Sequence, residues 1–162
     1  MTGIEEGAAA AKRLLRSEMR EMRRALPDQV ERSIRLWSHV RSIPAVRAAR
    51  VVMVFDSVPG EPMTAAFAEW LRSAGKEVLL PEDDPSPDPK RPDVVIVPGT
   101  AFTAAGDRLG QGGGWYDRLL PELNDHCVTI GVGFEPQLVD ELPIEPHDIR
   151  LDMVVTDAGI AT

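Results

Sequence analysis

The chain has 162 residues, of which 43% are apolar and 27% are charged. This length and balance are typical of one soluble globular domain with a sizeable core. Its single cysteine, Cys127, excludes both a disulfide framework and a zinc site built from cysteines. The formal net charge is -8, so the protein as a whole should repel nucleic acids and anionic membranes.

That charge is unevenly distributed along the chain. Residues 1–50 contain 11 Lys and Arg against 6 Asp and Glu, which gives this first third a net charge of +5. Residues 51–162 therefore carry a net charge of -13. The local excess of basic groups favours an anionic ligand. It also raises the alternative of a nucleic-acid-binding module, but the interspersed acids and the acidic remainder argue against it.

No stretch of 18 apolar residues is present, so no membrane-spanning helix is expected. Residues 1–11 include Glu5 and Glu6 and lack the apolar core of a secretory signal. We therefore expect a cytoplasmic protein in which residues 1–11 are disordered.

Two amphipathic helices are predicted near the start of the chain. Apolar residues at spacings of 4, 3 and 4 mark one face of the first helix: Leu15, Met19, Met22 and Leu26. Pro27 is expected to end this helix, and Asp28 to cap a second one from about residue 29 to residue 42. Pro44 should close the second helix.

Five short apolar runs then predict buried strands, at residues 51–55, 78–80, 94–97, 128–132 and 153–155. A helix that follows Thr64 and ends at Gly75 is predicted between the first two strands. Apolar strands alternating with helices are typical of an α/β fold. We expect a single domain over residues 1–162, with a mostly parallel, Rossmann-like three-layer open sheet and helices on both faces.

Residues 81–92 form a segment that we call the connector. Its twelve residues include five prolines and four acids, a composition that excludes regular structure and predicts a solvated link. The connector joins two predicted strands without a helix between them. It is therefore either a bare crossover between parallel strands or an antiparallel turn at a sheet edge.

Five of the thirteen glycines lie between Gly106 and Gly114, just beyond a predicted strand, where open α/β sheets bind ligands. Glycine lets a ligand approach the backbone, and successive N–H groups form an anion-binding nest. The spacing matches neither a Walker A motif nor the dinucleotide fingerprint. On glycine content alone, a flexible surface turn is an equal alternative.

The residues that flank these glycines favour a phosphate site. Arg108 is a fork-shaped donor suited to phosphate. Trp115 offers a stacking face beside Tyr116, the only tyrosine of the chain. Asp117 is a hard oxygen ligand suited to Mg²⁺. A phosphate cradle with a magnesium ligand is therefore predicted here.

Four sequence blocks extend this interpretation to nearly the whole chain. Residues 93–118 combine an apolar strand, Pro-Gly, Ala-Phe, a glycine, Arg-Leu-Gly, a glycine cluster and Tyr-Asp-Arg. Before them stand Lys-x-x-x-Arg at residues 12–16, residues 57–64 with Glu61, residues 75–78 and Pro81. After them stand Ile130-Gly131, Gln137 to Val139, Leu142-Pro143, His147-Asp148 and residues 152–156. In this order the blocks resemble the 5-formyltetrahydrofolate cyclo-ligase family (5,10-methenyltetrahydrofolate synthetases).

The resemblance implies an enzyme that closes 5-formyltetrahydrofolate to 5,10-methenyltetrahydrofolate while ATP is split to ADP and phosphate, with Mg²⁺ as cofactor. The formyl oxygen would take the γ-phosphoryl group, N10 would attack the activated carbon, and phosphate would leave. The implied partners are ATP and a reduced folate, with no nucleic acid and no membrane, in a monomer or a homodimer.

The resemblance also implies the site residues. For the ATP phosphates these are Lys12, Arg16, Arg108, Leu109, Gly110, Gln111, Gly112, Gly113, Gly114, Trp115 and Tyr116, with Arg108 and Tyr116 as catalytic groups. For the folate they are Asp56, Glu61, Gln111, Gly112, Gly113, Gly114 and Trp115. For the magnesium ion they are Asp117 and Asp152. The alternatives are solvated helix charges at Lys12 and Arg16, and a simple turn residue at Asp152.

The chain departs from the family in the connector. The matching region of the family is usually longer by a few tens of residues and contributes apolar and aromatic contacts to the folate. We therefore expect an intact ATP side and a reduced folate side. The alternative function is a cyclo-ligase-like paralogue that binds nucleotide or folate without this turnover, or acts on another substrate.

Overall fold

The computed structural model describes residues 2–84 and 86–161. Its helices are α1 (Gly3–Ala25), α2 (Gln29–Arg41), α3 (Pro44–Ala48), α4 (Ala65–Ser73) and α5 (Trp115–Leu119). Its strands are β1 (Val51–Met53), β2 (Glu77–Leu79), β3 (Val94–Val97), β4 (Ala101–Phe102), β5 (Arg108–Leu109), β6 (Val128–Val132), β7 (Met153–Thr156) and β8 (Gly159–Ile160). Short 3₁₀ turns cover Leu120–Glu122 and Glu135–Gln137.

Six strands form one open sheet in the order β2-β1-β3-β6-β7-β8. The first five are mutually parallel, and β8 runs antiparallel to β7. This confirms the predicted single α/β domain with a mostly parallel sheet. The order reverses direction between β1 and β3, and such a switch point opens a crevice at the carboxyl ends of the strands.

The two faces of the sheet are covered differently. Helices α2, α3 and α4 pack on one face, where the stacked rings of Trp37 and Phe67 lie 4.3 Å apart. The other face is covered by α5, the 3₁₀ turn that follows it and Phe102 of the β4–β5 hairpin. Helix α1 packs on that hairpin through Met19, which contacts Ala101 and Leu109. Helix α1 therefore lies beside the loop that follows the hairpin.

The expectation of disorder in residues 1–11 is wrong for residues 3–11, which form the first turns of α1; Met1 lies outside the described residues. A capping box begins this helix, because Thr2 and Glu5 bond to each other's backbone N–H groups. Residues 8–11 are alanines, the strongest helix formers. Among the described residues, no helix is long and apolar enough to cross a membrane.

The predicted cap of α2 also needs correction. Asp28 adopts left-handed backbone geometry (φ 58°) and makes no capping hydrogen bond to α2. The side-chain amide of Gln29 instead donates to the carbonyls of Arg23 and Leu26 at the end of α1. Helix α2 ends at Arg41, before Pro44, as predicted. Pro44 itself begins the five-residue helix α3, because proline suits the first turn, where no N–H bond is needed.

Of the two predicted alternatives for the connector, the structure shows the bare crossover between parallel strands. Strands β2 and β3 are both parallel to β1 and flank it, so the chain must cross from one side of β1 to the other. In the described part of the connector only turns and bends occur. Asn124 donates to the Lys90 carbonyl (2.6 Å), and Ser86, Pro87 and Pro89 line a shallow 220 Å³ cavity with Trp115. The connector therefore lies over the face that α5 covers.

Candidate functional site

The candidate site is the crevice at the carboxyl ends of β1 and β3. Its first wall is the loop after β1, which is closed by reciprocal bonds at 3.2 Å: the Ser57 N–H donates to Thr64 Oγ1, and the Thr64 N–H donates to Ser57 Oγ. Inside this loop the Val58 N–H donates to Glu61 Oε2 (3.0 Å). The loop therefore holds the Glu61 carboxylate in one orientation.

The second wall begins with Arg108, on β5 of the hairpin. Its side chain is only 5% exposed. Nη1 donates to the Pro98 carbonyl at the end of β3 (2.8 Å), and Nη2 donates to Asp117 Oδ1 (3.2 Å). The guanidinium carbon lies 5.5 Å from the centre of the Tyr116 ring. These three contacts fix a cation at the base of the crevice.

The glycine loop, residues 110–114, passes over this cation. A Cβ at Gly110 would lie 3.1 Å from both terminal nitrogens of Arg108, so a larger residue would crowd the guanidinium. Gly112 and Gly114 have positive φ angles of 106° and 73°, which only glycine adopts without strain. The loop can therefore present backbone close to a bound anion, as its glycine content predicts.

Helix α1 holds the glycine loop from the side. Arg16 Nε donates to the Gly110 carbonyl and Arg20 Nη2 to the Gln111 carbonyl, both at 2.9 Å. One helical turn farther on, Arg23 is buried, and its Nη1 lies 3.5 Å from the Gly99 carbonyl. Arg20 and Arg23 were missed by the sequence-based assignment, although the four-residue spacing of Lys12, Arg16 and Arg20 signals one basic helix face.

Glu61 and Gln111 meet across the crevice, with Gln111 Nε2 3.5 Å from Glu61 Oε1. Glu61 is buried and also lines a cavity of about 570 Å³. Burial raises the pKa of its carboxyl group, and the Val58 N–H and the Arg23 charge act in the opposite direction. Asp56 is exposed, and its N–H contacts Glu82 of the connector (3.3 Å).

The aromatic pair stands where α5 begins. The Trp115 and Tyr116 rings meet edge to face with centroids 4.8 Å apart. Burial raises the pKa of the Tyr116 hydroxyl far above its ordinary value, and the charge of Glu82 acts in the same direction. Tyr116 is therefore a neutral hydrogen-bonding group at physiological pH. Leu109, in contrast, is buried in the core against Met19, so only its backbone is available to a ligand.

Lys12 has two carboxylate partners, Glu145 at 3.1 Å and Asp148 at 3.0 Å. Burial alone would lower the pKa of Lys12, but the bonds and charges of Asp148 and Glu145 outweigh it and raise that pKa. The predicted phosphate ligand is thus tied to the loop before β7. A nucleotide phosphate would compete with these carboxylates for its charge.

The two predicted magnesium ligands are not brought together. Asp117 lies in α5 with its side chain 53% exposed. Asp152 precedes β7 and accepts bonds from the Thr129 N–H (2.8 Å) and Thr129 Oγ1 (3.1 Å), near the start of β6. The starts of parallel strands lie at the sheet edge opposite to the crevice. The prediction that pairs Asp152 with Asp117 is therefore corrected, and Asp152 joins β6 to β7.

Known proteins of one family are similar to this chain along most of its length. A sequence profile of the 5-formyltetrahydrofolate cyclo-ligase family matches residues 8–92 and 83–157. The 5-formyltetrahydrofolate cyclo-ligase of Escherichia coli K12 is 35% identical over 179 aligned positions, which cover 88% of this chain and 98% of the relative. That of Mycolicibacterium smegmatis is 29% identical, with coverages of 90% and 93%.

Two solved structures are similar in fold. The 5,10-methenyltetrahydrofolate synthetase of Aquifex aeolicus gives a TM-score of 0.79 at 26% identity and covers 92% of this chain and 91% of its own. That of Mycoplasma pneumoniae also gives 0.79, at 22% identity, with coverages of 90% and 98%. The similarity to the Mycoplasma pneumoniae structure, at 22% identity, concerns the fold alone.

The alignments also bear on the length of the connector. The 179 positions aligned with the E. coli protein contain 88% of 162 residues, or about 143, so about 36 positions of the relative have no counterpart here. The two profile segments overlap at residues 83–92, which places a break of the match in the connector. With a profile match across most of the chain and 35% identity over 98% of a relative, the protein belongs to the 5-formyltetrahydrofolate cyclo-ligase family.

Proposed function

We propose that the protein catalyses the ATP- and Mg²⁺-dependent cyclisation of 5-formyltetrahydrofolate to 5,10-methenyltetrahydrofolate, releasing ADP and phosphate. The observation that carries the proposal is the composition of one crevice. A glycine loop held by Arg16 and Arg20 faces the buried carboxylate Glu61 across it. One side suits a polyphosphate, and the other suits the N–H donors of a pterin ring.

The chemistry assigns a separate task to each side. An amide oxygen is a poor leaving group, so the formyl oxygen first attacks the γ-phosphorus and ADP departs. N10 then attacks the activated carbon and loses its proton to solvent, and phosphate leaves with the former formyl oxygen as the C–O bond breaks. The protein contributes positioning and charge neutralisation. Arg108 supplies a fixed cation for the transferred group, and Glu61 accepts hydrogen bonds from the pterin so that N5 and N10 face the phosphates.

Magnesium would enter this crevice together with the nucleotide. Among the described residues, no group of three or more His, Cys, Asp or Glu side chains could hold a metal ion. Mg²⁺ commonly takes one or two carboxylates and completes its shell with phosphate oxygens and water, and the half-exposed Asp117 fits that role. When bound, the ion would neutralise charge on the phosphates.

The proposal is tested by following the absorbance of methenyltetrahydrofolate when the full chain receives 5-formyltetrahydrofolate, ATP and Mg²⁺. Product should form only when all three are present. If a high enzyme concentration yields no ATP-dependent product, the proposal is wrong.

The assignment of Asp117 rather than Asp152 gives a prediction about metal dependence. D117N should raise the Mg²⁺ concentration needed for half-maximal activity about tenfold, because one of few available carboxylates is lost. D152A should leave the Mg²⁺ dependence unchanged and lower the free energy of unfolding by about 1–2 kcal/mol, because it removes the acceptor of two Thr129 bonds. Mg²⁺ titrations of activity and denaturant melts measure the two effects. An altered Mg²⁺ requirement in D152A alone would reverse the assignment.

The short connector favours a second candidate, a paralogue that binds nucleotide or folate without this turnover or acts on another substrate. About 36 positions of the E. coli relative are missing here, and a shorter wall buries less of a ligand. Calorimetry separates the candidates. Nucleotide binding without 5-formyltetrahydrofolate binding would support the paralogue, whereas binding of both with turnover would reject it.

A further inference from the structure

Arg23 occupies an unusual place for a cation. It lies in the last turn of α1, is 6% exposed, and reaches between the loops that follow β1 and β3. A Cβ at Gly60 would lie 3.7 Å from Arg23 Cβ and 3.8 Å from its Nε. On the other side Nη1 lies 3.5 Å from the Gly99 carbonyl. Arg23 therefore spans the base of both crevice walls.

The burial of this guanidinium is only partly compensated. In the part of the chain that the structure describes, its buried Nε has no hydrogen-bond partner, and the bond to Gly99 is long. Taking such a cation out of water is unfavourable unless a negative charge lies nearby. Glu61 provides that charge and is itself 7% exposed. Two buried and opposite charges therefore depend on each other.

We propose that Arg23 is a positioning residue of the folate side: its buried charge keeps Glu61 an ionised carboxylate that can accept hydrogen bonds from the pterin. This inference rests on the proposed function of the crevice. A protonated Glu61 would lose acceptor capacity and present an O–H to the pterin donors. Arg23 thus acts on the substrate through Glu61.

The surroundings of Glu61 determine the direction of the effect. Besides Arg23 on α1, the groups facing it are Glu82 of the connector, the neutral Tyr116 on α5 and the uncharged Gln111 of the glycine loop. Burial and Glu82 raise the pKa of Glu61, whereas Arg23 lowers it. Removing Arg23 should therefore raise the pKa of Glu61. As the pH falls, the variant should then lose folate binding at a higher pH than the unaltered protein does, because Glu61 becomes protonated earlier.

The first test compares R23M, R23K and R13M by the KM for 5-formyltetrahydrofolate and for ATP between pH 6 and 9. R23M should raise the folate KM most strongly at the low end of this pH range, by about tenfold at pH 6, and much of the loss should be recovered at pH 9, because a raised carboxyl pKa matters only where the group becomes protonated. R23K should keep the pH profile of the unaltered protein, because it keeps the charge. R13M, a matched change at an exposed position of the same helix, should leave both KM values unaltered. If the folate KM of R23M follows the same pH profile as that of the unaltered protein, the proposal is wrong.

A second measurement covers the case in which R23M is too unstable for kinetics. Free energies of unfolding for R23M, E61Q and the double variant form a double-mutant cycle. If the two charges support each other, the double variant is more stable than the sum of the single losses predicts. Strict additivity would overturn the proposal. Because this cycle needs no substrate, failure of cyclo-ligase turnover and failure of the Arg23 assignment remain distinguishable.

Discussion

Replacement of Arg108 by methionine should lower kcat of the cyclisation about 10³-fold, the lower end of what a phosphate-directed arginine contributes. The side chain is 5% exposed and held by the Pro98 carbonyl, Asp117 and the Tyr116 ring. Its charge is therefore placed before substrate arrives, and no reorganisation is needed when negative charge develops on the transferred phosphoryl group. Single-turnover measurements of methenyltetrahydrofolate formation give the size of the loss.

The conservative variant R108K separates charge from shape at this position. Lysine keeps a cation but cannot bond to Pro98 and Asp117 while also presenting a fork to a phosphate. R108K should therefore recover only a small part of the lost rate, with ATP binding less affected than kcat. Full activity in R108M would place the phosphate-stabilising group elsewhere and remove Arg108 from the mechanism.

The largest expected loss of stability belongs to G106A. Gly106 has φ 97°, and an added Cβ would lie 2.3 Å from the carbonyl oxygen of Leu151. That contact lies beside a backbone bond, because the Leu151 N–H donates to the Gly106 carbonyl (2.9 Å). The substitution therefore combines a strained backbone with a clash against backbone that cannot move aside. We expect a loss of about 3 kcal/mol or more, a fall in Tm of roughly 6–12 °C for a chain of this size.

Gly113 supplies the matched control for G106A. No atom lies within 4 Å of a Cβ built on Gly113, and its φ is not positive. G113A should therefore change Tm by no more than about 2 °C, as thermal unfolding followed by circular dichroism will measure. Equal Tm values for G106A and the unaltered chain would refute the packing argument. The comparison also distinguishes two roles of glycine in this region. Gly106 is needed for the hairpin turn, whereas the glycines of the loop are available to a ligand.

Much of the fold follows from residue patterns that can be recognised in the sequence. Apolar runs such as residues 94–97 predict the central strands correctly, because a strand buried on both faces needs apolar residues throughout. The hairpin β4–β5 was not predicted, since strands of two residues are too short to show periodicity. Backbone bonds across the hairpin stabilise them, such as the Thr100 N–H with the Leu109 carbonyl (2.7 Å). The helix over residues 3–11 was missed although Thr2 and Glu5 mark its start.

The candidate site was likewise predictable from the sequence only in part. Its loop, with Arg108 and Tyr116, is visible as a motif because glycine spacing and fork donors are local features. The burial of Arg23 is not visible, since arginines on a helix are ordinarily solvated and only the tertiary packing encloses this one. The placement of Asp152 was predictable in principle, because a residue just before a parallel strand lies at the edge opposite to a ligand crevice. Topology, rather than residue type, decides that position.

The helix-free crossover between β2 and β3 has a consequence for how such a protein diverges. Loop-closure entropy grows slowly with length, by roughly 0.6 kcal/mol per doubling. Because no helix or strand lies within the described part of the connector, even a fourfold extension would disturb the sheet by only about 1 kcal/mol. The segment is thus a natural insertion point. A longer or shorter segment would change the wall beside Asp56, which Glu82 contacts, and leave the glycine loop held by Arg16 and Arg20 in place.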